Sequence, residues 1–152
     1  MKFNALKNYT YYPDINGNLD LPEAERLSMD IIRPTAEEHE SLVFTELTQQ
    51  SQKDAKGKSI LTTASRTKFN TSKILRRHVG EIRNLIIEDP DKGGEEKQIK
   101  TGEEFAGASF TGMFTLVNMI CVEVCSDKLS DTQKKISESG LTSSGEIGTS
   151  EN

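Results

Sequence analysis

The stretch from Ser109 to Cys125, SFTGMFTLVNMICVEVC, constrains this chain more than any other. It is the most apolar run in the sequence. Phe105, Met113, Leu116, Val117, Ile120, Cys121 and Val124 recur at the i, i+3, i+4 spacing of one helix face. Phe110, Phe114, Met119, Val122 and Cys125 add apolar groups beyond that face. A helix that is apolar nearly all round is either buried on several sides or meets another chain. The stripe of Met113, Leu116, Val117, Ile120 and Val124 is expected to face a core. The flanking Phe110, Phe114, Met119 and Val122 are the candidate protein-interaction residues. The run is too short to span a bilayer, which takes roughly 20 apolar residues, and Glu123 interrupts it.

A chain of 152 residues suits one domain with one core, expected over residues 1–138. Only 34% of the residues are hydrophobic and tryptophan is absent, a shortfall that sits in polar loops and a polar tail. The net charge of -5 argues against a dedicated nucleic-acid binder. Two cysteines, Cys121 and Cys125, lie one helical turn apart, a spacing that suits neither an easy disulfide nor a full metal site. A reduced, cytosolic setting follows. The N-terminus MKFNALKNYTYYP has no long apolar segment, so no signal peptide is expected.

Taken in order, Tyr9 to Tyr12 is aromatic and β-prone. Pro13 ends it, and Asp14 to Asn18 is a turn cluster around Asn16-Gly17. Leu27, Met29 and Ile31 alternate with polar neighbours, the period of a half-buried strand. A small antiparallel sheet is expected here. Thr35 and Glu38 form a capping box, predicting a helix to about Gln50 with Leu42, Val43 and Leu47 inward. Residues 51–70 are polar, lysine-rich and without clear period, and read as a mobile basic loop with a short strand at Ser59 to Thr63. Thr71 or Ser72 opens a helix whose stripe is Ile74, Leu75, His78, Val79, Ile82, Leu85 and Ile86. Gly80 weakens that helix by about 1 kcal/mol relative to alanine. Thr101 to Glu104 is a second capping box, opening the helix of the central stretch, with Gly107 and Gly112 placed to kink or split it. Ser130 to Gln133 caps a last short helix. Residues 139–152 are Ser, Gly, Thr and Glu with isolated Leu141 and Ile147, a composition that stays disordered. The expected fold class is therefore α+β, mostly α: a small N-terminal antiparallel β element, a three- to four-helix domain and a disordered C-terminal tail.

Several motifs imitate chemistry without completing it. Gly57-Lys58-Ser59 resembles the end of a phosphate-binding loop, but Gln52 stands where the first glycine belongs and no buried strand precedes it. Asp14-x-Asn16-x-Asn18 with Glu25 places oxygen ligands at calcium-loop spacing, but Leu19 replaces the turn glycine. Asp89-x-Asp91 with Gly94 has the glycine, yet Gly93 and Lys100 occupy ligand positions. Both read as solvated turns. Cys121 and Cys125 would need further zinc ligands, and only His39 and His78 exist, so two small core hydrophobes are the better reading. No nucleophile has a visible base. No catalytic residue, cofactor or metal is expected. Lys68, Lys73, Arg76, Arg77 and Arg83 form a candidate basic patch within the basic segment 53–83. Pairing with acidic groups is weighed above phosphate contact, because Phe69 alone supplies an aromatic.

Several segments in order carry a family resemblance: NGNLDLP at Asn16 to Pro22, RLSMDIIRPTAEEHESL at Arg26 to Leu42, ILRRHVGEIRNL at Ile74 to Leu85, IKTGEEF at Ile99 to Phe105, and LSDTQKKISE at Leu129 to Glu138. Together they resemble the small tail assembly chaperones of long-tailed bacteriophages and prophages. The resemblance implies a non-enzymatic protein of the bacterial host cytoplasm. It implies as partners a helical tape measure protein and the tail tube protein, with homo-oligomers possible and no membrane. A surplus apolar helix face suits a helical client laid in a groove. Two other classes stay open: a structural virion component of tail or connector, and a nucleic-acid-associated module using residues 53–83.

Overall fold

The computed structural model describes residues 1–3, 7–108, 112–127, 133, 134 and 136. Its centre is an antiparallel four-stranded sheet in the order β1-β2-β5-β6, built from Tyr9–Tyr11 (β1), Ser28–Ile31 (β2), Val79–Asp89 (β5) and Glu95–Thr101 (β6). Three helices pack with it: Thr71–His78 (α2), Gly102–Gly107 (α3) and Phe114–Cys125 (α4). Met29, Ile31, Ile82 and Ile99 from the strands meet Ile74, Phe105, Leu116, Ile120 and Val124 from the helices in one buried cluster. Alternation along β2 sends Asp30 to the opposite face, where it pairs with Arg83 and accepts a hydrogen bond from Thr10. The helices thus cover one face of the sheet, and polar groups cover the other.

Besides three single 3-10 turns at Asn18–Asp20, Glu23–Glu25 and Pro90–Lys92, the described residues also form a short helix, Ala36–Glu40 (α1), and a separate two-stranded antiparallel ribbon of Val43–Lys53 (β3) and Ser59–Phe69 (β4). Strands therefore carry at least as much of this molecule as helices do. It is a mixed α/β protein with two sheets, and the expectation of a mostly α fold is overturned.

Three local differences produce that result. The capping box at Thr35 and Glu38 is present, but the helix it opens stops at Glu40. Ser41 and Leu42 donate back to Glu38 and His39 carbonyls in a tight final turn. Beyond it, Val43, Phe44, Thr45 and Thr48 are β-branched or aromatic and extend instead. Residues 51–70 form most of the ribbon rather than a loop, closed by a turn in which Asp54 Oδ1 accepts from the Lys56 and Lys58 N–H groups. Gly57 holds φ 78° there, a left-handed conformation that glycine adopts without steric cost.

The third difference is the long stripe from Ile74 to Ile86. The helix ends at His78 and the chain continues as β5. Asn70, not Thr71 or Ser72, caps α2, its side chain accepting from the Lys73 N–H. Within β5, Val79, Ile82 and Leu85 are buried at a spacing of three while Ile86 is 59% exposed. That spacing comes from irregular pairing. Met29↔Ile82 is followed by Ile31↔Val79, and Glu81↔Thr101 by Leu85↔Ile99, so β5 carries extra residues against both neighbours. Asn84 takes φ 62° in this bulge and its amide donates to Ala24 and Arg26 carbonyls. A bulged strand has borrowed the period of a helix.

The N-terminal sheet and the split of the last helical region agree with the sequence reading. Thr101 caps α3 by accepting from Glu104 N–H, although the Glu104 carboxylate reaches Lys100 N–H rather than closing a full box. Gln133 is helical and its amide bonds both backbone groups of Tyr12. Phe110 and the tail from Ser139 to Asn152 lie outside the described residues.

Candidate interaction surfaces

On α4, Leu116, Ile120, Cys121 and Val124 are buried, and Met113 and Val117 pack partly against the core. The opposite side shows Phe114 at 72% exposure and Val122 at 51%, with exposed Asn118 between them and half-buried Met119 beside them. Phe114 and Val122 stand eight residues apart, about 12 Å along the axis. Two apolar groups on one helix stripe, interrupted by an amide, make a small contact surface rather than a groove.

The C-terminal end of α4 is held from below. Glu123 is buried on α4 and accepts a hydrogen bond from the Tyr9 hydroxyl, while the Arg33 guanidinium lies 3.7 Å from its carboxylate. Arg33 also donates to the Glu123 and Ser126 carbonyls at 2.8 and 2.9 Å and stacks over the Tyr9 ring at 4.7 Å. His39 Nε2 donates to the Cys125 carbonyl at 3.0 Å. A guanidinium and an imidazole N–H thus meet carbonyls at the end of α4, where the dipole is negative. Burial, then the bond to Glu123, pushes the Tyr9 hydroxyl far up, so it stays protonated. A protonated phenol locked between a carboxylate and a guanidinium is a clamp, not a nucleophile. The sequence shows Glu123 only as a charge interrupting an apolar run.

The basic residues do not form one free patch. Lys68 pairs with Glu46 across the ribbon at 2.9 Å, Arg76 pairs with Glu103, and Arg83 pairs with Asp30 and Glu81 at 3.0 Å on the polar sheet face. Lys73 donates to the Ser41 hydroxyl. Arg77 is exposed. His78 is buried, its Nδ1 donating to the Ile32 carbonyl at 2.9 Å, and ties β2 to the start of β5.

The imitative motifs resolve into architecture. Gly57, Lys58 and Ser59 make the ribbon turn and open β4. Asn18 is buried, and its amide spans Pro13 and Leu27 through three bonds of 2.7 to 2.9 Å. Asp89 accepts from Asp91 N–H. Both cysteines are free, and burial, with Cys121 as a neighbour, pushes the Cys125 thiol up to about 11. Among the described residues no three His, Cys, Asp or Glu side chains come together to hold a metal ion, and no helix is long and apolar enough to cross a membrane.

The ribbon presents a further surface. From Phe44 to Lys53 and from Ser59 to Thr67 every residue is exposed, and the two strands extend about 35 Å. Residues paired directly across an antiparallel ladder share a face. One face carries Thr45, Leu47, Gln49 and Ser51 opposite Thr67, Ser65, Thr63 and Leu61, uncharged until Lys53 at the turn end. Leu47 is 69% and Leu61 65% exposed there. The other face holds Phe44, Ile60 and the Glu46, Arg66 and Lys68 charges. Each strand also keeps an outer edge with unpaired N–H and C=O groups. The short strand expected at Ser59 to Thr63 falls within β4, which runs on to Phe69.

Comparison with protein-family models, with curated proteins and with solved structures finds no match to this chain.

Proposed function

We propose that this protein is a non-enzymatic assembly protein of a long phage or prophage tail, acting through contacts with other protein chains. The observation that supports this reading is the ribbon: two 11-residue strands, exposed on both faces from Phe44 to Lys53 and from Ser59 to Thr67. A two-stranded ribbon is marginal in water by itself, and an open, partly apolar edge invites another strand. Within the tail setting that the resemblance implies, such an arm suits a structural component that polymerises. The exposed pair Phe114 and Val122 favours a second reading, a chaperone that holds a helical tape-measure-type client and assists tail tube assembly. The nucleic-acid reading is weakened by the pairing of Lys68, Arg76 and Arg83 with acids of the same chain.

The test is co-expression with a tape-measure-like protein and, separately, light scattering of the pure chain. Ordered rings or tubes from the pure chain support the structural reading. Solubilisation of the client, reduced by Phe114→Ser with Val122→Ser, supports the chaperone reading. Those surface changes should leave stability within about 0.5 kcal/mol. In contrast, Ile120→Ala in the core should cost about 2–5 kcal/mol. A chain that neither assembles nor holds the client, yet binds DNA in a salt-sensitive way, would sink the proposal.

A further inference from the structure

The β5–β6 hairpin carries an arrangement that does not stabilise itself. Glu88 stands directly opposite Glu96, and Asp89 directly opposite Glu95. Like charges facing each other across a ladder are destabilising. Asp91 follows in the connecting turn. None of these five acids forms an ion pair among the described residues. β6 is at the same time an edge strand of the four-stranded sheet, so one side of its backbone is open.

The ribbon supplies the complement. Its turn end carries Lys53, Lys56 and Lys58, also without ion pairs among the described residues, and Asp54 there is occupied by backbone N–H groups. Its strands offer open edges longer than the seven residues of β6. Lys92 in the β5–β6 turn and Lys97 on β6 offset part of the acidic charge and leave the hairpin net acidic, as Lys53, Lys56 and Lys58 leave the tip net basic around Asp54. Among the described residues no ion pair joins the two ends within one chain.

We infer that the ribbon of one copy docks on the β6 edge of a second copy, its lysine end against the acidic β5–β6 hairpin. This rests on the reading of the protein as an assembly component and names its partner. The contact continues the four-stranded sheet by strand addition, and the cations relieve the repulsion between Glu88 and Glu96 and between Asp89 and Glu95. Because donor and acceptor surfaces differ, the contact is head to tail. It closes a ring if the rotation per copy permits and otherwise builds a filament.

The test is a charge swap read by light scattering and sedimentation. One variant reverses the tip (Lys53→Glu, Lys56→Glu, Lys58→Glu). Another reverses the acceptor (Glu88→Lys, Glu95→Lys, Glu96→Lys). Wild type should assemble at low salt and dissociate at high salt. Each variant should stay monomeric with a native circular-dichroism spectrum and melt. An equimolar mixture of the two should assemble again, because each acidic tip then meets a basic acceptor and the reverse. Misfolding cannot imitate that rescue. Monomeric wild type, variants that keep the wild-type mass, or a mixture that stays monomeric each overturns the inference. If self-assembly fails while the client is still held, the second copy is the wrong occupant and the protein-contact function stands. Loss of DNA retention on tip reversal, with no change of mass, would assign the lysines to nucleic acid instead.

Discussion

Gly102 sets two physical effects against each other. It is the first residue of α3 and is buried against the junction of α2 and β5. A methyl group there falls well inside contact distance of the Leu75 and Val79 carbonyl oxygens and 2.9 Å from Val79 Cβ. Carbon atoms pack at about 3.5–4.0 Å, so the contact with Val79 alone is short by roughly 0.6–1.1 Å. Both oxygens belong to backbone that is pinned: Leu75 lies within α2, and Val79 opens β5, where it pairs with Ile31. Helix propensity favours alanine over glycine by about 1 kcal/mol. Overpacking a close junction costs about 1–3 kcal/mol and sometimes more. Two fixed carbonyls put the steric cost at the upper end of that range, so Gly102→Ala is expected to lower stability by about 2 kcal/mol net, or several degrees in Tm at about 2–4 °C per kcal/mol. Gly107→Ala is the control. It lies in the same helix with nothing within 4 Å of the added group, so only the favourable propensity acts. Thermal melts of both variants decide. If Gly102→Ala melts at or above wild type, or moves as Gly107→Ala does, the close approach is not what fixes glycine at this position.

Two further outcomes follow from the buried polar groups. Arg33→Met leaves Glu123 buried without its cation and should cost about 3–5 kcal/mol in denaturant unfolding, with partial recovery on adding Glu123→Gln; an unchanged midpoint would show that the clamp contributes nothing. Stability should also fall in alkali, because the Cys125 thiol is held up to about 11 by burial and by Cys121, and Cys121, Tyr9 and Tyr11 are raised in the same direction. Folding favours the protonated forms, so their contribution is complete below the ordinary thiol range, near about 8.5, and is lost as pH rises through about 11. Midpoints measured from neutral pH upward should decline over that window, and less steeply for Cys125→Val; a flat profile refutes the assignment.

What the sequence revealed depended on whether an element buries one face. The alternation of Leu27, Met29 and Ile31 is legible because that strand has a core side, and Met29 and Ile31 are fully buried. Thr35 and Thr101 are legible because capping is local chemistry. The ribbon was not legible as a whole, since neither face is buried and period-two hydrophobicity has no reason to exist. Its β-branched residues and Gly57 turn were the available clues. β5 misled for a different reason: its bulge around Asn84 places Val79, Ile82 and Leu85 inward at a spacing of three, which continues the α2 stripe of Ile74, Leu75 and His78. Of the interaction residues expected on α4, Phe114 and Val122 are exposed because the opposite stripe alone suffices for the core. The clamp on Glu123 was hidden because Tyr9 and Arg33 are 114 and 90 residues away in the chain.

The ribbon also bears on the partner proposed for this molecule. The chain leaves the body at Leu42 and returns at Asn70, whose N–H donates to the Leu42 carbonyl at 2.8 Å. Leu42 is fully buried and Asn70 caps α2, so the core is closed at this point whatever lies between. Ordering the two 11-residue strands costs roughly 1–2 kcal/mol of backbone entropy per residue. Ladder hydrogen bonds return about 1 kcal/mol each, and cross-strand pairs about 0.2–1 kcal/mol. Apolar burial, the usual source of the rest, is confined to Val43 and Phe69 at the base, because Leu47, Leu61, Phe44 and Ile60 remain at least half exposed. Only its first pair, Val43 and Phe69, packs against the core, so under the proposed assembly a surface of another chain would supply the burial the rest of the ribbon lacks. A second sheet edge meets that need more completely than a helix would, since it satisfies the ribbon's unpaired backbone groups as well as covering its leucines.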